Sequence, residues 1–202
     1  MNKSKITKVN PVVVTDFVGL DDVEYKNKEN QDRHWMVASR KEKSELEQIY
    51  LENKEDKIDA VVIAALHKEE NKLVVIKQFR VPINGYIYEL PAGLVDSDED
   101  IKGTVARELK EETGLDLIEI NKVNSMDKVY LSPGMTDESV AFVYCICEGE
   151  ISKDYLEDDE DIEAVLISRE EAKQLLEGNE KIDIKFYLML QMFINLGDKL
   201  FV

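Results

Sequence analysis

The sequence predicts an α/β fold: a sheet covered by helices, preceded by a small antiparallel β extension. Three observations lead there. Beyond about residue 57, strand-like and helix-like patterns interleave, as they do when helices cover the faces of a sheet. Residues 60–66 and 73–79 are continuous apolar runs joined by the turn composition His67-Lys-Glu-Glu-Asn-Lys72. Residues 1–56 instead hold short extended stretches around polar turns, so the boundary between extension (1–56) and main domain (57–202) is placed there.

Taken in order, residues 12–18 read as a strand. Val23-Glu24-Tyr25 and His34-Trp35-Met36-Val37 read as a hairpin around the polar turn 27–32. An isolated hairpin is marginal in water, so this unit is expected to pack on the main domain or on a second chain. Residues 41–57 are charged and read as a connection or short helix. After the two apolar strands, residues 86–90 form another, leading through Pro91-Ala92 into a turn at Gly93-Leu94-Val95 and then an acidic helix. Residues 140–147 read as a buried strand and 164–167 as a strand, with a dense acidic run at 148–161 between them. Residues 169–176 and 184–196 read as helices, the last apolar almost all round and so expected in the core or at an interface.

Composition narrows the function classes. The 202 residues carry 43 acidic against 26 basic side chains, a net charge of −17, a field that repels phosphate backbones and argues against nucleic acid as a partner. A small anionic substrate remains compatible if metal ions and a local arginine invert the potential at the site. Residues 1–11 lack the apolar core of a signal peptide, and residues 186–196, interrupted by Gln191 and Asn195, are too short to span a bilayer. Cys145 and Cys147 lie two apart in a strand, project from one face and pack as small apolar residues. A lone C-x-C is a poor zinc site, and a reduced cytoplasmic protein is the natural reading. His34 and His67 are expected to be solvated.

The acidic helix is the most informative stretch. Ser97 is read as its cap, Asp98, Glu99 and Asp100 as its first turn, and Gly114 as its stop. Ile101, Val105 and Leu109 define its apolar line. At about 100° per residue, Glu108 and Glu112 fall beside that line and not opposite it. Two carboxylates four apart repel each other, and a core-facing position adds a desolvation cost on the order of several kcal/mol per ion. A divalent cation offsets both costs, since hard cations prefer carboxylate oxygen. The plain alternative is a solvated acidic face; the geometry favours the metal. Gly103, inside the helix, costs roughly 1 kcal/mol of helix stability.

At every fixed position, the stretch from Gly93 to Leu115 resembles the signature of the Nudix hydrolases: Gly93, five residues, Glu99, seven residues, Arg107-Glu108, an aliphatic, any residue, Glu111-Glu112, any residue, Gly114, an aliphatic. The flanks narrow the resemblance. Gln78-Phe79-Arg80-Val81-Pro82, Gly85-Tyr86 and Glu89-Leu90-Pro91-Ala92 look like the ADP-ribose pyrophosphatases, and Ser132-Pro133-Gly134 is similar to a proline-bearing loop of that group. The resemblance implies an α/β/α sandwich with a mixed β-sheet and an enzyme that hydrolyses the diphosphate of a nucleoside diphosphate sugar.

The same resemblance implies roles. Glu108, Glu112, Glu111 and the Ala92 carbonyl would hold two or three Mg2+ ions, with Mn2+ as the alternative. Glu99 and Arg107 would form a supporting ion pair beside Gly93. Arg80 would contact the diphosphate, and Glu89 would sit at the mouth of the site. Trp35 and Phe17 would stack on the base, helped by Arg40, from the N-terminal strands of a second subunit in a homodimer. Glu160 would act on the attacking water, with Glu157 and Glu163 as rivals. The implied reaction converts ADP-ribose to AMP and ribose 5-phosphate. A different nucleotide sugar such as GDP-mannose is one alternative. A non-catalytic ADP-ribose sensor is another, which the complete signature and the lack of a basic patch speak against.

Overall fold

The computed structural model describes residues 5–96, 98–157 and 160–201, arranged in two compact units. One comprises the residues up to Asp59 together with Val129–Val140; the other comprises Ala60–Lys128 and the residues from Ala141 on.

The first unit is built on an antiparallel sheet of β1 (Ile6–Val13), β2 (Gly19–Lys26) and β3 (Asp32–Ser39), paired in that order. The first strand therefore lies earlier than residues 12–18. Thr15 explains why: its hydroxyl accepts the N–H groups of Phe17 and Val18 and donates to Val18 O, closing a turn that ends β1. The β2–β3 turn is closed by the Asn27 side chain, which accepts from Glu29 and Gln31, with Asn30 left-handed at φ 61°. Helix α1 (Lys43–Glu52) covers β1, with Leu46 and Val9 fully buried. The hairpin thus finds its packing partners inside its own unit. Three aspartates close that unit around Lys41, whose Nζ lies 2.8 Å from Asp59, 3.1 Å from Asp137 and 3.4 Å from Asp56.

The second unit is an α/β layer structure on a mixed sheet. Its strands are β4 (Ala60–His67), β5 (Lys72–Arg80), β6 (Gly85–Glu89), β7 (Ala92–Leu94), β8 (Asp116–Tyr130), β9 (Ser139–Glu148) and β10 (Ile162–Ile167). The order is β10-β5-β4-β9-β8, with β6 on β5 and β7 on β4. Every residue of β4 is buried, as its apolar run requires. Gly93 and Leu94 belong to β7 and pair with Val61 and Ala60, so the turn expected there is a short strand. The 15-residue β8 has no counterpart in the sequence reading: Asn121, Lys122, Asn124, Asp127 and Lys128 interrupt its apolar residues, and none of its residues is buried. Asn121 Oδ1 accepts from the backbone N–H groups of Val123 and Asn124.

Helix α2 (Ile101–Thr113) packs on β4, β7 and β10. Ser97, expected as its cap, lies outside the described residues; the cap is Asp100, whose carboxylate accepts from Gly103 N at 2.7 Å. Asp98 and Glu99 thus precede the helix and do not fill its first turn. Gly114 ends it at φ 79°, and a Cβ there would meet Ser152 N at 2.6 Å, so glycine is required twice over. Helix α3 (Arg169–Glu177) starts with a capping box between Ser168 and Glu171. Helix α4 (Ile184–Leu196) buries Phe186, Met189, Leu190 and Phe193 and exposes Ile184, Leu188 and Leu196, so only one of its apolar faces enters the core. No helix among the described residues is long and apolar enough to cross a membrane.

Both cysteines of β9 are buried, and desolvation pushes the Cys147 thiol up to about 12. His34 is exposed beside Asp22 at 2.9 Å, as expected. His67 is not solvated. It is 4% exposed, its Nδ1 accepts from Glu70 N at 3.2 Å, and its Nε2 therefore carries the proton donated to Gly149 O at 2.9 Å.

Candidate active site

The helical spacing of Ile101, Val105 and Leu109 turns one face of α2 to the sheet, and Glu108 and Glu112 are carried in with it, 8% and 4% exposed. Burial drives the Glu112 carboxyl well above its ordinary range. Its Oε2 accepts from Ala92 N at 3.0 Å, which opposes that shift, while the neighbouring Glu108 and Glu160 charges add to it. Burial also raises Glu108, against the pull of Arg107.

Gly93 shows how tightly β7 meets this helix. A Cβ built there would fall 1.9 Å from the Glu108 carboxyl carbon and Oε1, and 2.2 Å from Oε2. The Glu108 carboxylate occupies the place of the missing side chain. Glycine is needed here for close approach, not for a left-handed backbone.

Arg107 joins the loop before α2 to the helix. Nε reaches both Glu99 oxygens at 3.1 and 3.2 Å, and Nη2 reaches Glu99 and Leu94 O, each at 3.0 Å. Nη1 reaches Glu108 at 2.7 Å and Glu111 at 3.0 Å. A planar guanidinium matches such a spread of acceptors, which an ammonium would not. The Arg107 fork, seconded by the Thr104 hydroxyl at 3.1 Å, holds the Glu99 carboxyl below its ordinary range.

Arg80, at the end of β5, forms a two-point pair with Glu89 on β6 at 2.8 and 3.0 Å. The Arg80 side chain is 42% exposed, that of Glu89 only 10%. Its charge also reaches Glu112 and favours the ionised form there. The Glu160 charge adds to the upward push on both Glu108 and Glu112.

Arg80, Glu89, Ala92, Gly93, Glu99, Arg107, Glu108, Glu111, Glu112 and Glu160 therefore form one neighbourhood in the second unit. Trp35, Arg40 and Phe17 belong to the first. Trp35 is half exposed, donates from Nε1 to Gly134 O at 3.2 Å, and with Val37, Tyr50 and Pro133 lines two clefts of 310 and 400 Å³. Arg40 pairs with Glu138 at 3.4 Å. Phe17, 80% exposed, lines neither cleft. Sequence reasoning did not single out Thr104, Leu94 O or Asp161 near the site, because none carries a local signal of its own.

The donor set fits hard divalent cations. Glu89 pairs with the Arg80 guanidinium and Glu99, Glu108 and Glu111 with that of Arg107, while burial penalises the charge on Glu108 and Glu112. Among the described residues no three acidic, histidine or cysteine side chains already converge as an ion cage. Arg107 draws Glu108 and Glu111 to itself instead.

The family model described as NUDIX domain matches residues 56–190. The chain is 35% identical over 136 residues to the ADP-ribose pyrophosphatase of Bacillus subtilis, covering 65% of this chain and 70% of that protein. It is 30% identical over 145 residues to the GDP-mannose pyrophosphatase of an Enterobacter species, covering 67% and 73%. A crystal structure of an ADP compounds hydrolase superposes with a TM-score of 0.69 at 16% identity, over 95% of this chain and 92% of the other.

This chain belongs to the Nudix family. It is a Nudix hydrolase of the ADP-ribose pyrophosphatase-like kind, and the family generally uses divalent metal ions.

Proposed function

We propose that this protein hydrolyses the diphosphate of ADP-ribose to AMP and ribose 5-phosphate in a magnesium-dependent reaction in the cytoplasm. The observation that carries this reading is the buried Glu108–Glu112 pair on α2, with the Gly93 backbone laid against the Glu108 carboxylate. Similarity to an ADP-ribose pyrophosphatase supports the choice of sugar.

Glu108, Glu111, Glu112 and the Ala92 carbonyl would hold two or three Mg2+ ions, with Mn2+ as the alternative. When bound, the ions neutralise the diphosphate, activate water and stabilise the departing phosphate. Arg107, braced by Glu99, orients the ligating carboxylates. Arg80 offers its exposed guanidinium to the diphosphate, with Glu89 fixing its direction from behind at the mouth of the site. Glu160 takes the proton of the attacking water. One phosphorus–oxygen bond of the diphosphate breaks as the water oxygen bonds to phosphorus.

Residues 1–56 act as a dimerisation and substrate-binding element: in a homodimer, Trp35, Phe17 and Arg40 of one copy recognise the base held by the other. The half-exposed indole of Trp35 beside an open cleft supports a stacking role over a core role. Similarity to a GDP-mannose pyrophosphatase supports a second reading, in which the sugar differs. Competition between ADP-ribose and GDP-mannose in one reaction tests the choice. ADP-ribose should show the higher kcat/KM by at least about tenfold, a difference of roughly 1.4 kcal/mol in transition-state binding; preference for GDP-mannose would reverse the assignment.

A further inference from the structure

Glu160 is held in place from the β5–β6 hairpin. Phe79 and Tyr86 are register partners in that hairpin, and their rings meet edge to face with centroids 5.5 Å apart. This packing fixes the Tyr86 ring although nearly half of it is exposed. Its hydroxyl donates to Asp161 Oδ2 at 2.5 Å. On the main chain, Phe79 N donates to Asp161 O at 3.2 Å. The residue after Glu160 is thus tied twice to one hairpin. Ile162 then enters β10 opposite Gln78, which sets the direction of the chain beyond it. Glu160 is fixed from the other side as well, since its Oε2 accepts from Glu157 N at 3.0 Å and its own N donates to Glu157 O at 3.1 Å.

The ring contact with Phe79 does not need a hydroxyl, so the phenolic oxygen serves something else. It donates to the carboxylate adjacent to the residue assigned to the attacking water. We propose that Tyr86 is a positioning residue: through Asp161 it holds in place the segment from which the Glu160 carboxylate takes the proton of the attacking water. This rests on the reading of Glu160 as the base. The same hairpin carries Arg80, paired across it with Gly85, so one rigid element aims both the diphosphate contact and the base. A displacement of about 1 Å at a reacting group costs on the order of a hundredfold in rate, and one charge-assisted hydrogen bond is enough to govern a displacement of that size.

The test compares wild type, Tyr86→Phe, Glu160→Gln and the double variant on ADP-ribose with magnesium, with thermal unfolding measured alongside. Glu160→Gln should lower kcat about a hundredfold. Tyr86→Phe should lower kcat about tenfold, with KM within about twofold and an unchanged unfolding temperature. In the Glu160→Gln background the tyrosine change should have no further effect. Wild-type kcat in Tyr86→Phe beside an impaired Glu160→Gln would overturn the positioning role and leave the base assignment standing. Wild-type kcat in Glu160→Gln would overturn the base assignment itself. A further tenfold loss in the double variant would show that Tyr86 acts independently of Glu160, and so would also overturn the proposal.

Discussion

Replacing Gly93 by alanine separates function from folding. The added Cβ would stand 1.9 Å from the Glu108 carboxyl carbon, whereas real Cβ contacts essentially never fall below 3.0 Å. The carboxylate must therefore retreat by about 1 Å, which costs on the order of a hundredfold in rate when the displaced group organises the reacting centre. The fold should hardly notice. The obstacle is the end of a flexible side chain, and alanine restricts the unfolded chain by about 0.4–1 kcal/mol in the variant's favour. Weakened contact between Glu108 and Arg107 offsets that gain, so stability should stay within about 1 kcal/mol of wild type. Urea unfolding in chelator, paired with kcat and a magnesium titration, reads both quantities. Wild-type kcat at unchanged magnesium affinity would show that Glu108 does not work from the place where Gly93 admits it.

Other outcomes follow from the same contacts. Arg107→Lys keeps a positive charge but not the fork spanning Leu94, Glu99, Glu108 and Glu111; magnesium affinity, read by calorimetry, should fall about 10- to 100-fold. Glu112 is raised by burial, so in metal-free protein its ionisation opposes folding. That penalty is full above its folded pKa and gone below its unfolded value, so it grows as pH rises between the two. Glu112→Gln in chelator should accordingly unfold at a higher temperature than wild type at neutral pH, with the gap closing on acidification and reversing when magnesium is added. In the first unit, Lys41→Met leaves Asp56, Asp59 and Asp137 without their shared ammonium, whose side chain is 7% exposed. Urea unfolding should show a loss of about 3 kcal/mol.

The legible parts of this molecule are those in which one local pattern decides the outcome. Helix α2 is readable because the four-residue spacing of its apolar line and the two glutamates beside it are properties of one turn of helix. The strands β4, β5 and β9 are readable because each carries a run of apolar residues that is buried. Strand β8 is not: its polar residues interrupt any alternation, and it is a strand because of its neighbours in the sheet. Long-range hydrogen bonds hide in the same way. His67 stands in a stretch of turn composition and is buried because Gly149, 82 positions later, supplies an acceptor. Asp161 looks like one more acid in an acidic run until Tyr86, 75 positions earlier, singles it out. At the head of α2 the sequence offers Ser97 as the cap and three acids as the first turn; Asp100 serves as the cap because its carboxylate reaches Gly103 N, while Glu99 is drawn away by Arg107.

The central claim is that carboxylates of α2 support a metal-dependent attack on the diphosphate of ADP-ribose. Product analysis after incubation with ADP-ribose and magnesium tests it most directly, with chelator and Glu112→Gln run in parallel. The account predicts AMP and ribose 5-phosphate in equal amounts from the wild type, and neither product above background in chelator or from Glu112→Gln. Turnover that survives both the chelator and the loss of the Glu112 carboxylate would contradict it.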